Sequence, residues 1–243
     1  MWYAKNTGGY NIGTTEATAN GTEIYGILNS LGYAIISIAA ILGNIDGESD
    51  YNPWQWQDNN IQSTTSYRSN TGVGYGLVQW TPSTEYIDSS IARNYAYYNP
   101  HFSDRNGAAT DGDAQTRFID YQLFNGGNYF WNQSRRDYYH DWFLNVGKDT
   151  DDFTSMTATE FKNGVLYNGV YNWTIEDFVG AFELKYLRPR MIEASARYWT
   201  TVNQAQWWYD YLSGITPPTP PDPPVPPPTQ REHMPVWMMI KYY

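Results

Sequence analysis

The chain has 243 residues, is 41% apolar, and carries 15 basic against 25 acidic residues for a formal net charge of -10; it is long enough for one large domain or two small ones, and its charge argues against nucleic acid or an anionic membrane as the main partner. The absence of cysteine excludes disulfides, thiolate metal sites and a cysteine nucleophile, and histidines scattered at 101, 140 and 233 suggest no zinc site, so neither metal nor cofactor is expected. The 23 Tyr and 11 Trp stand out, many in polar surroundings such as Trp54, Trp56, Tyr138, Tyr139, Trp207 and Trp208; most fill a core, but as a population their flat faces and polar edges suit a carbohydrate ligand.

Residues 1–20, rich in Gly, Asn and Thr, read as an irregular arm without the basic and apolar regions of a secretory signal. From Thr22 to Leu31 the spacing of Ile24, Ile27, Leu28 and Leu31 predicts a helix that Gly32 stops. Ile35 to Ile45 is apolar almost all round, which predicts a helix buried at the domain centre. The stretch "YAIISIAAILG" is about half of what a bilayer crossing needs, and Gly43 and Gly47 are expected to weaken the end of this helix. Residues 51–74 read as a polar loop with room for a short hairpin, and "GYGLVQWTP", residues 74–82, as a tight extended segment entering a helix at Ser83.

Helical spacing returns at Thr84 to Tyr95, Asp113 to Phe124, Ala158 to Phe161, Thr174 to Tyr186 and Arg190 to Tyr211. Thr174 followed by Asp177 has the form of an N-cap with its acid partner. The aromatic stretch from about Asn125 to Tyr171 contains a long segment without clear period, read as a loop with a short helix. At Thr216 the composition changes: "TPPTPPDPPVPPPTQ" holds nine prolines and predicts a stiff polyproline II linker over 216–229. The short apolar segment 230–243 cannot bury itself alone and is read as a docking peptide.

The stretch "GNIDGESDYNP", residues 43–53, carries the chemistry. Glu48 ends the buried helix beside Tyr51 and Trp54, and desolvation of a carboxyl group favours its neutral form. Such a group donates a proton near neutral pH, which a glycosidic oxygen needs as its C–O bond breaks. Asp46 and Asp50, facing other directions, are expected to be solvated.

Three motifs in order extend this reading: Gly43, Asn44, Glu48 and Ser49; Asn52, Pro53, Trp56 and Gln57; and Gly74, Gly76, Leu77, Gln79, Trp80, Thr81 and Pro82. With Phe182, Tyr186, Arg188 and Pro189 further on, the chain over about residues 21–212 resembles the phage tail lysozyme domain. Its Glu-Ser and Gly-Leu-x-Gln skeleton is also similar to goose-type lysozymes and lytic transglycosylases. The resemblance implies a mainly α (α+β), lysozyme-like helical domain over 21–215 with a small hairpin or loop lobe, followed by the Pro-rich tail. It implies that Glu48 protonates the bond between N-acetylmuramic acid and N-acetylglucosamine, and that Gln79 bonds an acetamido group or a water across the groove. Tyr75, Trp56, Ser49 and Tyr186 join Gln79 as substrate-binding candidates, Tyr186 touching either the sugar or the Glu48 carboxyl; Trp80 reads as core.

The glycines around Gln79 are expected to let a polysaccharide approach the backbone. Asp58 is the first candidate for a second catalytic carboxylate, with Asp50 behind it. An inverting hydrolase needs its base about 6.5–9.5 Å from the acid and a retaining one its nucleophile about 5–5.5 Å away. Without such a partner, attack by the substrate's own 6-hydroxyl makes the protein a lytic transglycosylase. The expected partners are peptidoglycan glycan strands and, through 230–243, phage tail proteins, with no nucleic acid and no membrane. The expected location is the virion, acting on the host wall during DNA entry. A non-catalytic glycan-binding or structural tail subunit is the rival reading.

Overall fold

The computed structural model describes residues 1–103, 110–125, 155–164, 166–167, 170–171, 173–187 and 191–215, with backbone alone for 166–167, 170–171 and 191–196. The expected linker and docking peptide, Arg188, Pro189 and residues 126–154 lie outside the described residues.

Helix α2, Ile35–Ser49, is the centre of the domain. Ile38, Ala39, Ala40, Ile41, Leu42 and Ile45 are fully buried, as its all-round apolar sequence predicts. Around it pack α1 (Thr15–Ser30), α6 (Ala158–Asn163), α7 (Ile175–Phe182) and α8 (Met191–Leu212); α2 against α8 is the most extensive of these interfaces. Gly43 and Gly47 serve that interface rather than weakening the helix. A Cβ on Gly43 would lie 2.7 Å from the Thr201 carbonyl oxygen and 2.8 Å from the Ala205 nitrogen. One on Gly47 would meet the Arg197 guanidinium at 2.5–2.6 Å. The two glycines, one turn apart, form a groove that takes α8.

α1 begins at Thr15, earlier than its apolar spacing indicates. The Thr14 hydroxyl caps it by accepting from Ala17 N at 3.3 Å. In its first turns the buried residues are Ala17, Asn20 and Gly21, a face too small and polar to register as an apolar stripe. Asn20 exchanges hydrogen bonds with the Tyr3 backbone at 2.7 Å and donates to the Tyr51 carbonyl at 2.8 Å. The arm is thereby fastened to the end of α2, and Asn52 reinforces this by donating to the carbonyls of Lys5 and Gly8 at 2.9 and 2.6 Å.

Between α2 and α5 (Gly112–Asn125) runs a lobe of short elements: a 3₁₀ turn at Gln57–Asn59, α3 (Ser66–Ser69), α4 (Thr84–Ile87) and a second 3₁₀ turn at Ala92–Asn94. Tyr75 makes isolated antiparallel bridges to Trp56 on one side and Trp80 on the other, so the extended pairing in the lobe centres on Tyr75 rather than forming a hairpin within 51–74. The single helix expected over Thr84 to Tyr95 is broken. The Ile87 carbonyl accepts from Arg93 Nε at 3.1 Å and from the Tyr98 hydroxyl, and Arg93 Nη2 lies 2.6 Å from Asp88. Side chains thus occupy the carbonyl that a continuing helix would use.

A short antiparallel ladder pairs β1 (Leu166–Tyr167) with β2 (Val170–Tyr171). Capping boxes open α6 at Thr157 with Glu160 and α7 at Thr174 with Asp177, the latter as the spacing predicts. α7 then widens into a π-helical segment, Glu183–Leu187. The architecture is mainly α with a small loop lobe, and among the described residues no helix is long and apolar enough to cross a membrane.

Candidate active site

Glu48 sits in the last turn of α2, whose left-handed cap at Asp50 turns the chain into the lobe. The Ser49 hydroxyl donates to the Leu77 carbonyl at 2.9 Å, bringing the Glu-Ser pair against the Gly-Leu-x-Gln segment. The Glu48 side chain is 3% exposed, and its Oε1 accepts from Arg197 Nη2 of α8 at 2.8 Å. The neighbouring aromatics pack elsewhere. Tyr51 accepts a hydrogen bond from Trp208 Nε1 at 2.7 Å, and Trp54 stacks on His101 with centroids 4.4 Å apart.

Arg197 gathers acids from two helical segments. Burial works against its charge, but Glu48, Glu183 and Asp46 more than offset this and raise its pKa. Glu183, in the π segment after α7, is 1% exposed, and neither carboxyl oxygen has a hydrogen-bond partner among the described residues. Desolvation lifts it to about 7, Glu48's charge adding to the shift and Arg197 opposing it.

Asp46, expected to be solvated, is 6% exposed; α8 covers it, and Gln204 hydrogen-bonds to it. Burial, with repulsion from Asp50, raises it to about 7, opposed by hydrogen bonds from Tyr51 and Gln204 and by the Arg197 charge. Asp50 is exposed, as expected.

The remaining candidates are distributed as follows. Gln79, 2% exposed, donates from Nε2 to the carbonyls of Gln55 and Gly76, each at 3.0 Å. Gly76 has φ +83°, and a Cβ there would meet Gln115 Oε1 at 2.5 Å, so its missing side chain makes room for Gln115. Tyr75 and Trp56 are fully buried, the Tyr75 hydroxyl donating to Asp111 Oδ1 at 3.2 Å and Trp56 Nε1 to the His101 carbonyl at 3.1 Å. Tyr186 is buried against Phe182 and donates to Gln122 Oε1 at 2.7 Å. Asp58 is exposed in the first 3₁₀ turn with φ +53° and accepts from Gln57 Nε2 at 3.3 Å.

Four residues that motif reasoning passed over complete the site: Glu183, Arg197, Gln115 and Gln122. Gln115 Oε1 accepts from Leu77 N at 2.8 Å while its Nε2 donates to the Pro53 carbonyl at 2.7 Å, tying the second and third motifs together. Gln115, Phe118, Ile119 and Gln122 share one face of α5, so the signal was a glutamine in each polar gap of a buried stripe. Glu183, first residue of the π segment, follows Val179 of α7 at an interval of four, and Arg197 shares an α8 face with Thr201, Ala205 and Trp208. Among the described residues no group of three or more acids and histidines is arranged to hold a metal ion.

The phage tail lysozyme family profile matches residues 19–212. The chain is also similar to Morphogenesis protein 1 of Bacillus phage B103, 33% identical over 126 residues. That alignment takes in 51% of this chain and spans 28% of the relative's length. With the family match extending from α1 to the end of α8 and taking in Glu48, Ser49, Gln79 and Arg197, the chain belongs to the phage tail lysozyme family.

Proposed function

We propose that the protein is a virion-associated muramidase that cleaves the β-1,4 bond between N-acetylmuramic acid and N-acetylglucosamine, opening peptidoglycan locally for DNA entry. Glu48 is the general acid. The observation that carries this reading is the Ser49–Leu77 hydrogen bond within a family match, because it brings the carboxyl-bearing helix end against the segment that reads as a glycan groove. Gln79 holds an acetamido group or a water opposite Glu48, and Asp58 is the candidate second carboxylate. The likeness to a phage morphogenesis protein supports assembly with other tail proteins, for which residues 230–243 beyond the proline linker are the proposed contact.

A second reading is favoured by one observation. Glu183, whose pKa the charge of Glu48 helps to raise, is buried and so is poorly placed to hold an attacking water. Attack by the substrate's 6-hydroxyl then gives 1,6-anhydro ends, the product of a lytic transglycosylase.

The test is digestion of purified peptidoglycan by the wild-type protein and by Glu48→Gln, with products resolved by mass. Loss of the general acid is expected to slow release about 10²–10⁴-fold. Reducing ends support the hydrolase and anhydro ends the transglycosylase. Glycan binding without release of fragments by either protein refutes both and leaves a non-catalytic tail subunit.

A further inference from the structure

We propose that the N-terminal arm segment Gly8–Tyr10 is a positioning element of the active site: it bridges the turn that follows Glu48 and the turn that carries Asp58, and so fixes how far apart the two carboxyl groups stand. The inference rests on the reading of Glu48 as the general acid and Asp58 as the second carboxylate.

Two stretches of backbone beside these residues adopt a conformation that ordinary side chains disfavour. Asp50 and Tyr51, directly after the last turn of α2, have φ +45° and +60°, and Asp58 and Asn59 in the first 3₁₀ turn have φ +53° and +56°. Aspartate and asparagine tolerate the left-handed region and a bulky tyrosine much less, so such backbone persists only where its surroundings hold it. The arm supplies a hold at both places.

At the first, Tyr10 N donates to the Asp50 carbonyl at 2.7 Å. Gly9 lies so close that a Cβ on it would stand 2.6 Å from the Ser49 carbonyl oxygen and 2.8 Å from Asp50 Cα. At the second, Gly8 N donates to Asn59 Oδ1 at 2.5 Å. Three consecutive arm residues therefore touch the neighbours of both candidate carboxylates. Asn52, fully buried and lying between the two turns in sequence, latches the arm by donating from Nδ2 to the carbonyls of Lys5 and Gly8 at 2.9 and 2.6 Å. A buried amide requires its acceptors, so the arm is seated by bonding as well as by contact.

The arm adds a third hold on the end of α2, beside the Arg197 bond to the Glu48 carboxyl group and the Ser49 bond to the Leu77 carbonyl. The separation of two carboxyl groups decides whether a water fits between them or the second attacks directly. A misplacement of about 1 Å is enough to cost a large factor in rate. Residues 8–10 precede the family match, which begins at residue 19, so this contact lies outside the matched domain.

The test uses the full chain on soluble peptidoglycan glycan chains and measures kcat and KM for wild type, Gly9→Ala, Glu48→Gln, Asp58→Asn and the Gly9→Ala/Asp58→Asn double variant. Gly9→Ala drives a methyl group into the backbone of Ser49 and Asp50, and is expected to lower kcat about tenfold or more with KM within about twofold. Added to Asp58→Asn, it is expected to cost less than about twofold more, because the separation matters only while both groups take part. An unchanged kcat in Gly9→Ala, a loss confined to KM, or an equal loss in the Asp58→Asn background overturns the proposal. Asn6→Ala, at an exposed arm position, is expected to match wild type, and a comparable loss there also overturns it. Full activity in Glu48→Gln or Asp58→Asn overturns instead the reading beneath it.

Amide exchange in the wild-type protein gives a measurement that needs no folded variant. The Gly8 and Tyr10 N–H groups are expected to exchange about a hundredfold or more slowly than in an unstructured peptide. Exchange at the peptide rate would mean that the arm is not seated on the two turns, and refutes the proposal.

Discussion

Gln122 holds two aromatic side chains through one oxygen: Oε1 accepts from Trp80 Nε1 and from the Tyr186 hydroxyl, each at 2.7 Å. Trp80 is 4% exposed and its indole has a donor only, so removing the acceptor strands that N–H in the core. Gln122→Leu is expected to cost about 1–3 kcal/mol, read as a lower melting temperature, with Gln122→Glu closer to wild type because the acceptor is kept. A melting temperature unchanged in Gln122→Leu would mean that Trp80 finds another acceptor. The residue scale is also where the sequence is hardest to read. The place of Glu48 at a buried helix end was legible, but its hydrogen-bond partner is 149 positions away, and no local pattern couples the two. Polar residues inside apolar stripes were the available signal for Gln115, Gln122 and Glu183, and each is a buried group with a bonding requirement that apolar spacing does not express.

Elements were more legible than their partners. Helices α5 and α8 follow the spacing of their apolar residues because burial of one face against the core dominates, and α2 is legible as a continuous apolar run buried on all sides. The failures are places where short-range bonding overrides periodicity: Thr14 and Asn20 extend α1 towards its N-terminus, and Arg93 with Tyr98 ends α4 after one turn. Gly43 and Gly47 illustrate why a glycine's role is settled between elements. In isolation each weakens a helix, yet across the interface they admit the α8 backbone and the Arg197 head group. Gly43→Ala is accordingly expected to destabilise the fold by about 1–3 kcal/mol despite alanine's better helix propensity, because the atoms it meets are backbone. At Gly47 the obstacle is the end of a flexible side chain, so Gly47→Ala should cost less in thermal melts. The reverse order would show that α8 is not seated by its backbone on Gly43.

Among the described residues, three buried acids resist ionisation near neutrality. Asp46, Asp111 and Glu183 are each raised to about 7, in every case first by desolvation. Asp111 lies in the lobe interface, where hydrogen bonds from Tyr86, Gln115 and Tyr75 oppose the shift without cancelling it. The unfolded chain releases these protons near the ordinary values of 3.8 for aspartate and 4.5 for glutamate. Between those values and about 7 the native state therefore binds more protons than the unfolded state, and stability falls as pH rises. The contribution is fully present below the unfolded values and lost by the time pH has risen through the native ones. A formal charge of -10 at pH 7 acts in the same direction, since each carboxyl that ionises adds to self-repulsion. The melting temperature is expected to be higher at about pH 5 than at about pH 8, and Asp111→Asn, which removes one titrating group outside the Glu48 cluster, should flatten the dependence. A melting temperature that stays level or rises over this interval would refute the account, because the native state would then hold no more protons than the unfolded chain.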